Sequence, residues 1–198
     1  MPKIVDREQY RKELLGKSFD LFAEKGYGSI TMRQIAEGLG VSTGTLYHYF
    51  PSKQGLFEQL AQEICEQDLS GALAELEGAQ TLQETMEALG RYLVKNEDYF
   101  IKWTYIWIDF CQHQDISNIQ NNSIFKHNNK QYQQAVCDLL KCHDKVLASF
   151  ILSFVSGLIL EKLWGNQEID FIEQCTLLGK MLAAYLPQTT NYQLASDN

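Results

Sequence analysis

Proline is scarce in this chain, with three in 198 residues, at positions 2, 51 and 187. Nothing therefore interrupts helical periodicity inside long segments. The alternation of apolar and polar residues that marks half-buried strands is also scarce, which excludes a sheet-based fold and leaves an all-α protein. Five cysteines, at 65, 111, 137, 142 and 175, are an odd number without a CxxC pair, so neither a disulfide framework nor a four-thiolate zinc site is indicated. With no signal peptide read ahead of them, the expected compartment is the reducing cytoplasm. An unbroken apolar run of the roughly 18 residues that a spanning helix needs is missing too. The longest candidate, Val146 to Trp164, is broken by Ser149, Ser153, Ser156, Gly157, Glu161 and Lys162, so no membrane segment is expected.

Positive charge is likewise short, with 17 Lys and Arg against 25 Asp and Glu and a formal net charge of -8. That excludes a uniformly basic surface but not a local one. Residues 1–60 hold eight basic and seven acidic residues, which leaves nine and eighteen for the rest. Charge thus separates along the chain, as expected if only the N-terminal part approaches a polyanion.

What is present is helical periodicity. From Asp6 to Lys25 an amphipathic stripe carries Tyr10, Leu14, Ser18, Leu21 and Phe22, and Gly26 and Gly28 follow as a stop. Thr31 stands where an N-cap belongs, and Ile35, Ala36 and Leu39 give the next short helix a buried side. Gly40 closes that helix, Val41 plugs the turn, and Ser42 or Thr43 caps a third helix carrying Leu46, Tyr47 and Phe50. Two short helices joined by a Gly-containing turn form a helix-turn-helix pattern. Pro51 ends the unit, and a fourth helix repeats Leu56, Phe57, Leu60, Ile64 and Cys65. Longer helices are expected at about 81–96, 99–112, 123–141, 145–165 and 170–186, with a polar-rich loop and solvated helix face around 112–134 and a frayed tail from Gln188.

Once the buried set is removed from the helix-turn-helix, the remainder is short hydroxyls, polar-tipped aromatics and one Arg. That chemistry suits phosphate oxygens and base edges, and Gly44 has no side chain to hold the backbone away from a duplex. The run TMRQIAEGLGVSTGTLYHYFPSKQGLF resembles the DNA-binding head of the TetR family of bacterial transcriptional regulators. The resemblance covers residues from about 7 to 60 and implies a three-helix head, residues 1–52, on a larger helical effector-binding and dimerisation body, residues 53–198. It further implies DNA contacts at Thr31 and Arg33, at Ser42, Thr43, Gly44 and Thr45 opening the recognition helix, at the aromatic cluster Tyr47, His48 and Tyr49, and at Lys53. Core packing is the competing reading for Tyr47, and an ordinary surface charge that for Lys53.

One head makes too few contacts to hold DNA selectively, so a homodimer is expected. Phe150, Ile151, Phe154 and Leu158, with Phe171, Leu178 and Leu182, are the candidate dimer surface, and small residues beside them permit close approach. The alternative is that these faces fill the monomer core. The segment Tyr99 to Phe110 is aromatic all round. Trp103, Tyr105, Trp107 and Phe110, with Asp109 or Lys102, line an expected chamber for a small apolar or aromatic effector, or else simply pack.

The reading is a dimeric DNA-binding regulator, a repressor released from a palindromic operator by an effector, with no catalytic residue, no metal and no cofactor. Two rivals remain. A thiol switch would use cysteine oxidation in place of a small molecule. An enzyme would draw on Cys111 and His113 near Asp109, or on Cys137, Cys142 and His143, none of which has a paired metal-ligand spacing.

Overall fold

In a computed structural model the described residues are 6–196, with side chains through 186. They form ten helices and no strand among the described residues. The first four are α1 (Arg7–Lys25), α2 (Met32–Gly38), α3 (Thr43–Tyr49) and α4 (Lys53–Leu76), followed by α5 (Leu82–Lys95) and α6 (Glu97–Gln112). The remainder are α7 (Ile116–Asn121), α8 (Ser123–Leu140), α9 (Lys145–Leu163) and α10 (Phe171–Ser196). The chain divides into two compact units, one of residues through Asp68 with Lys102–Ala135, the other of Leu69–Ile101 with Val136 onward.

In the first unit the core is built from one face of each head helix. Leu15, Phe22, Ile35, Leu46, Phe50, Leu56 and Phe57 are all fully buried. Burying each such side chain contributes roughly 1.5–3 kcal/mol, which offsets the weak intrinsic stability of two seven-residue helices. The turn between α2 and α3 is a Schellman motif. Val41 N–H donates to Ala36 C=O at 2.9 Å, Gly40 N–H donates to Glu37 C=O at 3.0 Å, and Gly40 sits at φ 68°, where a side chain would be strained.

In the second unit α5 packs along α10. Their approach is close because glycines face backbone from both sides. A Cβ on Gly90 would lie 2.8 Å from Ile172 Cα, and one on Gly179 would lie 3.2 Å from Gln83 Cα. Gly179, one of the small residues beside the candidate dimer surface, thus serves packing within the chain. Met86, Leu93, Phe100, Leu147, Ile151, Leu158, Phe171, Cys175, Leu178 and Leu182 make the core of this unit.

Expectation and structure differ at the tail and in the polar-rich region. By length and composition α9 could cross a membrane, but Leu147, Ala148, Ile151, Leu158 and Ile159 are buried in the protein's own core. Helix α10 continues through Pro187 to Ser196 where a frayed tail was expected. Proline removes one N–H from the ladder without necessarily ending it. The polar-rich region also holds a short helix, α7, that periodicity did not mark, because six residues are less than two turns.

Candidate nucleic-acid interface

The two short helices are held at their starts by side chains. Thr31 caps α2 in a capping box, in which its Oγ1 accepts from Gln34 N–H at 3.3 Å while Gln34 Oε1 accepts from Thr31 N–H at 2.9 Å. Ser42 caps α3, its Oγ accepting from Thr45 N–H at 2.9 Å and lying 2.8 Å from Thr45 Oγ1. With the first turn satisfied internally, the outward face of α3 is defined by what Leu46 and Phe50 bury. Ser42, Thr43, Gly44, Tyr47 and His48 are exposed, while Thr45 is half-buried beside its cap. Arg33 is exposed on α2. A Cβ on Gly44 would meet only Ser42 Oγ, at 3.7 Å, so no internal contact requires glycine there.

The aromatic trio splits three ways. Tyr47 is 52% exposed, which removes the core-packing alternative for it. His48 Nε2 accepts from Arg7 Nη2 at 3.1 Å. Tyr49 is half-buried, edge-on to Tyr10 at 5.6 Å between ring centroids, with the Arg7 guanidinium 5.8 Å from its ring. Sequence reasoning passed over Arg7, because nothing local ties residue 7 to residue 48.

Lys53 is not a solvated surface charge. Its Nζ donates to Tyr27 C=O at 2.6 Å and Ile30 C=O at 3.0 Å and lies 4.4 Å from the Tyr27 ring. Burial pulls its pKa down, opposed by the nearby Asp109 carboxylate. The same loop is held from α6, where Asp109 Oδ2 accepts from Gly28 N–H at 3.0 Å. His113, anchored through Nδ1 on Asp109 C=O at 2.8 Å, covers Gly28 so closely that a Cβ there would lie 2.2 Å from His113 Cε1. Asp109 is thus a loop anchor.

The expected chamber residues separate. Trp103, Trp107 and Phe110 gather on Phe57, which stacks against Phe110 at 4.0 Å and 9°, while Phe125 of α8 closes edge-on against Trp107 at 4.8 Å. Tyr105 points away and is 55% exposed, since it falls on the opposite side of α6. Along the α4–α8 seam, Asn128 donates to Ala61 C=O at 3.0 Å, and its buried Oδ1 has no partner among the described residues.

The seven residues expected at a dimer surface divide between core and exposed positions. Ile151, Leu158, Phe171, Leu178 and Leu182 are buried within the second unit, so these five are core of the single chain. Phe154 is packed partly against that core, and only Phe150 of the seven is exposed. The large exposed apolar residues of the two helices are Val146 and Phe150 on α9 and Ile172, Leu177, Met181 and Tyr185 on α10. Apolar residues occur on more than one side of each helix, and periodicity could not say which side turned inward.

All five cysteines are free. Burial pushes the Cys65 thiol up to about 11 and the Cys175 thiol up to about 12, and raises that of Cys111, which disfavours the thiolate that oxidation requires. No group of three or more His, Cys, Asp or Glu is gathered for a metal among the described residues.

Comparison with known proteins adds an independent line. Residues 14–60 match the family model of bacterial regulatory proteins, tetR family. A repressor from Rhodococcus jostii, KstR2, is 38% identical over 66 residues, 33% of this chain and 32% of that protein. The regulator BetI of Klebsiella pneumoniae is 39% identical over 67 residues, 34% of each. The matches thus span about a third of the length of these curated relatives. Over nearly the whole chain the fold is similar to that of a tetR-family transcriptional regulator from Streptomyces coelicolor, with a TM-score of 0.64, 19% identity and coverage of 93% of this chain and 83% of that one.

Proposed function

We propose that the chain is a TetR-family transcriptional regulator, as the match of residues 14–60 to that family supports, and that it acts as a dimer whose two α3 helices read the half-sites of a palindromic operator. The observation that carries this reading is the capped, outward face of α3, with Ser42, Thr43, Gly44, Tyr47 and His48 exposed over a fully buried Leu46 and Phe50. The first residues of α3 reach base edges, while Thr31, Arg33 and His48 address the backbone and fix orientation. Thr45 and Tyr49 shape that surface from its margin, and Lys53 acts on the duplex indirectly by tying the loop after α1 to the start of α4.

Residues 53–198 form the effector-binding and dimerisation part. Phe57, Trp103, Trp107, Phe110 and Phe125 supply an aromatic wall for a small apolar or aromatic effector, and the unpartnered Asn128 Oδ1 offers an acceptor for an N–H or O–H on it. Effector binding lowers operator affinity to the extent that it favours a conformer whose recognition helices no longer match successive major grooves. A cytoplasmic repressor without a cofactor fits this scheme. The raised thiols of Cys65, Cys111, Cys137 and Cys175 argue against an oxidation switch at those four residues.

Selection of bound duplexes from a random pool tests the reading. A palindrome with half-site centres about one helical turn, roughly 34–36 Å, apart or a multiple of it is expected. Enrichment of no sequence, or of a single asymmetric site bound by a monomer, overturns it.

A further inference from the structure

We propose that Arg7, at the start of α1, is a DNA-backbone contact presented alongside the recognition helix, a position that local sequence pattern does not assign. The inference rests on the DNA-binding reading above and extends it from α2 and α3 to a third helix, α1. Arg7 is exposed, and its guanidinium is held by two residues of α3. Nη2 donates to His48 Nε2 at 3.1 Å, and Cζ lies 5.8 Å from the Tyr49 ring, which Tyr10 of α1 fixes edge-on at 5.6 Å.

No carboxylate among the described residues pairs with that charge. Asp6 is occupied as the N-cap of α1, accepting from Glu8 N–H and Gln9 N–H at 3.0 and 3.4 Å. Glu8 is bound to Arg11 at 2.6 Å. Three other cations of the same unit are committed, Arg11 to Glu8, Lys12 to Glu63 at 3.1 Å, and Lys53 to two loop carbonyls. A guanidinium has five N–H donors, and a neutral imidazole acceptor engages one of them. The rest remain for a phosphate oxygen at the edge of the surface that α3 presents, where a planar fork suits that geometry. In a chain of net charge -8, such a locally unpaired cation matters more for backbone binding than the total charge implies.

The test is fluorescence anisotropy with the duplex selected by the wild-type chain, measured from about 50 to 200 mM salt. R7A is expected to bind about five- to tenfold more weakly, with the slope of log K against log salt shallower by about one and base preference at every position unchanged. R7K keeps the slope and loses less affinity, because the charge survives without the fork. R7Q, which preserves a donor toward His48 but no charge, follows R7A and serves if R7A does not fold. A slope unchanged in R7A and R7Q, with only the melting temperature lowered, makes Arg7 a brace between α1 and α3 and overturns the proposal. Failure of the wild-type chain to select or bind any duplex overturns the DNA-binding reading instead, so the two failures are distinct.

Discussion

Gly28 and His113 show how one missing side chain couples distant parts of a chain. The His113 ring occupies the space a Cβ would need, and the Gly28 N–H reaches Asp109 from the same position. Gly28→Ala is expected to cost roughly 1–3 kcal/mol by forcing the ring away. In G28A/H113A most of that loss should return, a non-additivity that a denaturant-melt double-mutant cycle measures. Titration supplies a second expectation. Cys65 and Cys175, with ordinary values of 9.0, are raised to about 11 and 12 by burial, and Tyr27, ordinarily 10.0, is raised to about 12. Each folded value lies above the unfolded one, so the stabilisation is complete below pH 9 and is lost as pH rises toward 12. The melting temperature is expected to fall across that window, and less steeply in C175A. Equal slopes in the two proteins would count against burial as the cause.

Helix ends explain most of the local order in the head. Thr31 was legible as a cap, and the α3 cap was narrowed to Ser42 or Thr43, because a hydroxyl before a short apolar repeat has few other uses; T31A is expected to cost about 1 kcal/mol. The end of α8 repeats the bonds of the α2 turn, with Cys142 N–H to Cys137 C=O at 3.0 Å and Lys141 N–H to Asp138 C=O at 3.2 Å. There Lys141 holds φ 51°, the position Gly40 fills in the head. Lys141→Gly is expected to stabilise the chain by about 0.5–1 kcal/mol, read from the urea midpoint at unchanged slope, since the left-handed conformation strains a residue with a Cβ. No sequence pattern marked this cap, because Lys rarely occupies it.

For the assembled protein, the outward residues of α9 and α10 carry the dimer expectation. Phe150→Asp and Met181→Asp place charges on sites exposed in the single chain, at 51% and 55%. Each variant is expected to sediment as a folded monomer and to bind the selected duplex far more weakly than the wild type. Ile151→Asp, at a site 3% exposed, is expected to unfold the chain instead, because an unpaired charge would be buried. A monomeric wild type, or a dimer untouched by both outward substitutions, would move the interface elsewhere.

Helical class, the caps of the head and the outward character of α3 followed from residue order, since each depends on neighbours within a few positions. Residues such as Leu46 and Phe50 could bury only by turning Ser42, Thr43 and Tyr47 outward. The role of Arg7, the inward turn of Lys53 and the burial of Leu178 in place of Met181 depend on partners tens of residues away. Periodicity reports that a helix has an apolar side. Which of several apolar sides meets the core is set by the volumes and backbones brought against it, as with Gly90 and Gly179, and that information exists only once the chain has packed.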